Sequence, residues 1–119
     1  MDDWDYPRPP RVFATGASRD TDEGKLDFEG FLCPLVLERY AEHMDKNRSM
    51  SDGSTRTSDN WQNGIGRDVY MKSMWRHFFA VWKTHRGWDN EDIEAELCAL
   101  MFNVCGMLHE VLKARKESL

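Results

Sequence analysis

The segment EDIEAELCALMFNVCGMLHEVLKARK, residues 91–116, has the most regular helical pattern in the chain. Its apolar side chains recur at steps of four and three residues, which places them on one face of a helix. They belong to Ile93, Leu97, Leu100, Val104, Met107 and Val111. Acids open the segment and cations close it, as the helix dipole favours. The pattern predicts a helix that starts after Asp89 or Asn90.

Two more helices are predicted before this segment, and no segment shows the alternation typical of a strand. One begins near Pro34, which suits a first helical turn, and runs to about Lys46. The other begins after Asp68 as its N-cap and ends near Arg86. Its broad apolar stripe predicts a central helix and comprises Met71, Met74, Trp75, Phe78 and Trp82. We therefore predict an all-α helical bundle of three main helices, with a four-helix core completed by oligomerisation.

The length and composition indicate one small globular domain. The chain has 119 residues, of which 40% are hydrophobic. Because Pro7, Pro9 and Pro10 interrupt the start, we predict a flexible N-terminal arm over residues 1–12 and a single all-α domain over residues 13–119. A domain of this size has a thin core, so we expect a homodimer or a homotetramer.

Charge and cysteine spacing exclude several classes of protein. The net charge of -5 argues against direct binding of nucleic acid or an anionic membrane. No apolar run reaches the roughly 18 residues of a membrane span. Cys33, Cys98 and Cys105 form no CxxC pair, which argues against a zinc knuckle and suggests a reducing, cytoplasmic location.

Two polar stripes could form a binding site. Glu38, Glu42 and Asp45 share one side of the first helix. A stripe of acids, an amide and small residues on the third helix comprises Asp92, Glu96, Ala99, Asn103, Gly106 and Glu110. If the stripes face each other, their oxygen atoms suit Mg²⁺ or Mn²⁺, which could bind a polyphosphate and activate a water. The alternative is that these acids form a solvated face.

The second helix and the lead-in to the first supply cations. Lys72 and Arg76 lie one turn apart and could meet phosphate oxygens. His77 could act by protonation or by a hydrogen bond to phosphate, or could be a satisfied core histidine. In the charged segment at residues 16–31, Arg19 and Lys25 could close over a phosphate, unless the segment is only a solvated lead-in.

The loop at residues 47–66 is long for a compact domain, and such loops are usually functional or disordered. Its first half is predicted to be mobile. Its second half contains Asn60 and Trp61, and Trp61 is a candidate to stack on a nucleobase. The remaining histidines, His43, His85 and His109, are interpreted as surface or helix-end residues.

Four motifs in order carry a family resemblance over roughly residues 13–112. They are FATGASRDTDEGKLDFEGFLCPLVLERYAEHM, SDNWQNGI, YMKSMWRH and LCALMFNVCGMLHE. The sequence resembles the dATP/dGTP diphosphohydrolase N-terminal domain of phages and bacteria, which is similar to the MazG-like all-α pyrophosphohydrolases. The resemblance, to the phage MazZ type, implies cleavage of dGTP or dATP to the monophosphate and pyrophosphate in making 2-aminoadenine DNA.

The resemblance also implies a ligand set. The MazG-like pattern joins an E-E-x-x-E helix to an E-x-x-D helix that together hold Mg²⁺. ERYAE matches the first motif with Arg39 in its second position, so Glu38 and Glu42 are the implied ligands. No strict E-x-x-D follows, and Glu96, supported by Asn103, is taken as the third ligand.

The sequence thus predicts a Mg²⁺-dependent pyrophosphohydrolase of a purine deoxynucleoside triphosphate, with Mn²⁺ as a substitute ion. Glu38, Glu42 and Glu96 would hold the metal and activate water. The other predicted residues would bind phosphate, base or sugar, and they are Arg19, Lys25, Asn60, Trp61, Lys72, Arg76, His77 and Asn103. A phage protein would act in the host cytoplasm. The alternative is a non-catalytic nucleotide-binding or protein-interaction module of a phage replication complex.

Overall fold

The computed structural model describes residues 9–118, so residues 1–8 of the predicted N-terminal arm lie outside the described residues. Two compact units divide the chain, Met1–Cys33 and Pro34–Leu119. Within the described part, four α-helices and a single 3-10 helix account for most of the structure. The all-α class predicted from sequence is confirmed.

The N-terminal unit contains a two-stranded ribbon and one short helix. Strand β1, Arg11–Val12, pairs antiparallel with β2, Ser18–Arg19. Helix α1, Phe28–Phe31, is capped by the side chain of Asp27, which accepts a hydrogen bond from the Gly30 amide. These strands of two residues are too short to show any alternation of side chains, so the sequence pattern did not indicate them.

The C-terminal unit contains helices α2, Pro34–Lys46, α3, Arg67–His85, and α4, Ile93–Glu117. A 3-10 helix, Asn60–Asn63, precedes α3. The predicted bounds of α2 are confirmed. Asp68 is not the N-cap of α3, since Gly66 holds that position and Asp68 lies in the first turn. Helix α4 starts later than predicted, because the Asp92 side chain caps it by accepting from the Ala95 amide.

Helices α3 and α4 form an antiparallel hairpin, and α3 packs along α4 more extensively than α2 does. Tyr70 contacts Phe102, whereas His77, two turns later, contacts Glu96, which precedes Phe102 on α4. The order of contacts therefore runs in opposite directions on the two helices. This hairpin is the scaffold on which the other segments of the unit are arranged.

The hairpin buries the polar stripe of α4 rather than its apolar stripe. Tyr70 is fully buried, Asn103 is 4% exposed, and Gly106 is also buried. A methyl group at Gly106 would collide with the Tyr70 ring, so the glycine allows the two helices to approach closely. In contrast, Trp75 of the predicted α3 stripe is 67% exposed. The prediction that this stripe makes α3 central is wrong for the chain by itself.

Among the described residues, α4 is long and apolar enough to cross a membrane by length and composition. The core helix of a helical bundle meets the same criteria, so this finding is weak evidence for a span. The expectation of no membrane association stays a prediction.

Candidate functional site

A cavity of about 950 Å³ lies among α2, α3, α4 and the segment between α2 and α3. Its volume falls in the upper part of the range typical of small-molecule sites. All of its lining residues belong to the C-terminal unit. Those that were predicted as site residues are Asn60, Trp61, Arg76, His77, Glu96 and Asn103.

The other predicted site residues lie elsewhere. Glu38 and Glu42 are exposed on α2, and Lys72 is exposed on α3; none of them lines this cavity. Arg19 lies in β2 and Lys25 lies between β2 and α1, in the N-terminal unit. A role for Arg19 and Lys25 in binding phosphate stays a prediction.

His77 and Glu96 form a hydrogen-bonding contact on the cavity wall. The Nδ1 atom of His77 lies 2.7 Å from the Oε2 atom of Glu96, and both side chains are partly buried. Helix α3 supplies the histidine, and the first turn of α4 supplies the carboxylate. A carboxylate on Nδ1 fixes the orientation of the imidazole and leaves Nε2 for a second partner. The pair can therefore present a proton acceptor to a ligand in the cavity.

A second histidine, His43, lines the same cavity from α2. Burial lowers the pKa of His43, and its proximity to Arg39 and then to His77 lowers it further. The negative charges of Asp92 and Glu96 oppose this shift. His43 lies in the last turn of α2, which agrees with its interpretation as a helix-end residue, and it also lines the cavity, which the sequence did not predict.

Two arginines of the loop after α2 line the cavity together with Arg76. The Arg56 amide donates to the Arg48 carbonyl at 2.9 Å, and the Arg48 Nε atom donates to the Arg56 carbonyl at 2.7 Å. A bridge between Ser49 and Thr55 continues this pairing. The first half of the loop is therefore a hydrogen-bonded turn, and its mobility stays a prediction. The turn brings two arginines, whose side chains bind phosphate well, to one cavity, and one nitrogen of the Arg56 guanidinium also donates to the Asn47 carbonyl at 2.6 Å.

No sequence pattern indicated Arg48 and Arg56 as site residues, because they are eight positions apart in a segment without a regular period. A pair of cations flanking a turn-rich DGS segment, at residues 52–54, is the only pattern that could have indicated them. The Arg48 guanidinium is also held by Asp45, at 3.3 Å. Asp45 lines the cavity as well, and so moderates its positive charge.

The α4 wall of the cavity is polar and contains a small residue. The Nδ2 atom of Asn103 donates to the Ala99 carbonyl at 2.7 Å, which leaves its Oδ1 atom as an acceptor. The Tyr70 hydroxyl is buried without a hydrogen-bond partner among the described residues. The expectation that small residues leave room for a ligand applies to Ala99, whereas the Tyr70 ring fills the space beside Gly106.

Trp61 packs onto α4 while lining the cavity. Its ring meets the His109 ring edge-on, with centroids 4.7 Å apart. The Ile65 amide donates to the Glu110 side chain at 3.3 Å, which fixes the same segment to α4. His109 is therefore a packing partner of Trp61 rather than only a surface residue. This packing fixes the indole on the cavity wall, where it could contact a planar ligand.

The predicted metal ligands do not form one group. Glu96 contacts His77, while Glu38 and Glu42 lie outside the cavity. In the part of the chain that the structure describes, no three histidine, cysteine, aspartate or glutamate side chains could together hold a metal ion. Arg39 pairs with Glu94 at 2.8 Å, which occupies a further carboxylate of α4. The residues as arranged do not fit the implied Mg²⁺ site.

Comparison with known proteins identifies a family. The family model for the dATP/dGTP diphosphohydrolase N-terminal domain matches residues 15–118. No curated protein matches the chain significantly. No solved structure does so either. The match covers the cavity and every residue that was predicted to form the site.

Proposed function

Since the chain belongs to the dATP/dGTP diphosphohydrolase N-terminal family, we propose that it hydrolyses a purine deoxynucleoside triphosphate to the monophosphate and pyrophosphate. The substrate is dGTP or dATP. The observation that supports this proposal is one cavity lined by three arginines and by the His77–Glu96 pair. Such a cavity combines phosphate recognition with a group that can accept a proton.

The arginines would bind the triphosphate. A chain with a net charge of -5 repels a polyanion in general, so recognition requires a local concentration of positive charge. Arg48, Arg56 and Arg76 provide that charge on the cavity wall. Guanidinium groups bind phosphate oxygens through paired hydrogen bonds, and they also stabilise the charge that develops as pyrophosphate leaves.

The His77–Glu96 pair would assist the attacking water. A water oxygen forms a bond to the α-phosphorus, and the bond from that phosphorus to the bridging oxygen of pyrophosphate breaks. The proton of the water passes to Nε2 of His77, while Glu96 stabilises the resulting imidazolium through Nδ1. Glu96 therefore acts through His77 in this mechanism, and the two side chains should behave as a unit.

The base and sugar would contact the part of the cavity lined by the 3-10 helix and by Asn103 of α4. Trp61 offers an aromatic ring, and Asn60 lies beside it in the 3-10 helix. The free Oδ1 of Asn103 can accept a hydrogen bond from an amino group of a purine. Hydrogen bonds of this kind discriminate between bases more strongly than apolar contacts do.

Mg²⁺, with Mn²⁺ as a substitute, stays a prediction, with Glu38, Glu42 and Glu96 as the predicted ligands. Chelation followed by addition of each ion tests it. The role in 2-aminoadenine DNA synthesis and the host-cytoplasmic location also stay predictions.

The second candidate function is a non-catalytic nucleotide-binding or protein-interaction module. It is favoured because Glu38 and Glu42 do not line the cavity that Glu96 lines.

A cleavage panel separates the two functions. Each dNTP and NTP is incubated with the full chain and Mg²⁺ or Mn²⁺, and pyrophosphate release is measured beside calorimetric binding. If the chain is an enzyme, it should release pyrophosphate from dGTP or dATP in preference to pyrimidine nucleotides. If a nucleotide binds and no nucleotide is cleaved, the proposed enzymatic function is contradicted and the non-catalytic binding module is supported.

A further inference from the structure

Helix α3 and its C-cap are basic in a chain that is acidic as a whole. Residues 67–86 contain five lysines and arginines and one acid, Asp68, whereas the whole chain has 16 cations and 21 acids. Such a local reversal of sign creates a positive field that the net charge of the chain conceals. The positions of these cations on the helix therefore decide what they can bind.

Four of the cations share one face of α3 with an aromatic ring. With 100° between successive residues, they fall within about 80° of arc and extend over about 21 Å of the helix axis. The outer face of α3 comprises Lys72, Arg76, Phe79, Lys83 and Arg86. The Lys83 ammonium pairs with Asp89 at 3.1 Å, which neutralises part of its charge. Lys72, Arg76 and Arg86 are exposed to solvent and supply most of the field.

The outer face points away from α4 and passes beside the cavity. Tyr70 and His77, which contact α4, lie about 150° around the helix from the middle of the outer face. Arg76 lines the cavity, whereas Phe79 and Arg86 lie outside its lining. A ligand along the outer face is therefore distinct from a nucleotide held in the cavity.

Aromatic rings and cations contact each other at the C-terminal end of the outer face. The Nζ atom of Lys83 lies 5.3 Å from the centroid of the Phe79 ring, and the Cζ atom of Arg86 lies 6.0 Å from that of Trp82. The two rings meet edge-on, with centroids 5.8 Å apart, and both side chains are about half exposed. These cation–π contacts hold the charges beside rings whose open surfaces can stack on a planar group.

This combination identifies the class of ligand. A row of cations meets the phosphates of a nucleic-acid backbone, and exposed rings among the cations stack on its bases. Only unpaired bases can stack in this way, since the bases of a duplex already stack on each other. A helix that lies on a membrane instead carries its cations and its apolar rings on opposite faces, whereas Phe79 lies among the cations. The outer face therefore fits a single strand.

We propose that the outer face of α3 binds a single-stranded nucleic acid. Lys72, Arg76 and Arg86 contact its phosphates, and Phe79 and Trp82 stack on its bases. The expectation of no direct nucleic-acid binding rested on the net charge of -5. A strand on the outer face meets these cations within the Debye length, about 8 Å at physiological salt, where the local charge outweighs more distant acids. Binding does not depend on the proposed enzymatic function, because Phe79 and Arg86 lie outside the cavity lining.

Fluorescence anisotropy of the full chain with labelled oligo(dT) of about 20 nucleotides tests this proposal. Three phosphate contacts predict a slope of about -2 for the logarithm of the association constant against that of salt concentration. Affinity should therefore fall roughly 20-fold between about 50 mM and about 200 mM salt.

Matched variants locate the binding surface. Arg86→Gln should lower the affinity and reduce the magnitude of the salt slope by about 0.7. Phe79→Ala should lower the affinity by about 5-fold or more, because a stacked base is lost. Arg115→Gln removes the same charge from an exposed residue in the last turn of α4, far from Arg86 in the antiparallel hairpin, and it should retain wild-type affinity.

Absence of binding at about 50 mM salt would overturn the proposal. Equal losses from Arg86→Gln and Arg115→Gln would do so as well, because they would indicate attraction by overall charge. A duplex of oligo(dT) with oligo(dA) that binds as tightly as the single strand would contradict stacking on Phe79. Binding to phosphatidylserine vesicles in place of the oligonucleotide would assign the outer face to a membrane. If circular dichroism shows that Phe79→Ala does not fold, the comparison of the two arginine variants decides.

Discussion

The Nδ1 atom of His77 lies 2.7 Å from the Oε2 atom of Glu96, and this contact joins α3 to α4 on the wall of the cavity. Its partners come from helices that meet in antiparallel order, so the pair depends on the packing of the hairpin. The His77 side chain is 29% exposed and the Glu96 side chain is 22% exposed. A contact that is partly withdrawn from water is stronger than one on the open surface.

The first prediction concerns this pair. His77→Gln and Glu96→Gln should each lower kcat of dNTP cleavage by about 100-fold or more, which is the usual contribution of a positioned proton acceptor. Because Glu96 acts through His77, the double variant should lose no more activity than His77→Gln alone. Steady-state kinetics measure this. His85→Gln, which alters a histidine of the same helix outside the cavity, is the control; additive losses would contradict the pairing.

The second prediction separates two cations that lie one turn apart on α3. Arg76 lines the cavity and Lys72 does not. Arg76→Gln should raise KM for the triphosphate by about 10-fold or more, since the loss of a charged hydrogen-bond donor costs about 1.5–3 kcal/mol. Lys72→Gln should leave KM near the wild-type value. An equal effect of both substitutions would show that Lys72 also binds phosphate, as the sequence predicted.

The third prediction concerns the Tyr70 hydroxyl, which is buried without a partner in the described residues. Burial, followed by the negative charge of Glu110, raises the pKa of Tyr70, so the hydroxyl is protonated at neutral pH. Tyr70→Phe removes an unsatisfied polar group and should stabilise the folded chain by about 1 kcal/mol in urea denaturation. A loss of stability of similar size would show that the hydroxyl has a partner in solution.

The fourth prediction concerns Gly106, where an added methyl group would collide with the Tyr70 ring. Gly106→Ala should destabilise the chain by about 1–3 kcal/mol through overpacking. Alanine's higher helix propensity, worth about 1 kcal/mol, offsets part of this cost. Gly106→Ala combined with Tyr70→Leu should recover part of the stability lost by Gly106→Ala alone. If Gly106→Ala instead raises stability, the close approach of the helices does not exist.

The fifth prediction is a pH dependence that arises from His43. Its pKa in the folded chain is lowered, chiefly by burial. As the pH falls below about 6.5, the usual pKa of an unfolded histidine, the unfolded chain takes up a proton that the folded chain resists. The free energy of unfolding is therefore highest above about pH 6.5, and it falls as the pH drops below that value. The urea midpoint of unfolding is measured at about pH 7.5 and at about pH 5.5, and the difference between the two midpoints should be smaller for His43→Gln than for wild type. The same difference in both proteins would show that His43 does not cause the pH dependence.

Much of the fold follows from local pattern. The run from Pro34 to Lys46 has a first-turn proline and a regular apolar stripe, and the structure places α2 at those bounds. The start of α4 was harder to predict, because several acids before Ile93 suit a first turn. Only the actual hydrogen bond from the Ala95 amide shows that Asp92 is the cap.

Which face of each helix is buried could not be predicted in the same way. Helical periodicity shows which residues share a face but not what that face meets. The apolar stripe containing Trp75 satisfied every criterion for a core, yet the chain buries the flank with Tyr70 because Gly106 admits that ring. The loop arginines Arg48 and Arg56 were missed because their approach depends on backbone hydrogen bonds within an aperiodic segment.

The central claim is that the chain cleaves a purine deoxynucleoside triphosphate so that pyrophosphate leaves. Phosphorus-31 NMR of a reaction with dGTP, and of another with dATP, in the presence of Mg²⁺ tests it most directly, because it identifies every phosphorus-containing product. We expect resonances of the nucleoside monophosphate and pyrophosphate in equal amounts for at least one purine nucleotide, and their absence with His77→Gln. Release of orthophosphate, or unchanged spectra of both nucleotides with the wild-type chain, would contradict it.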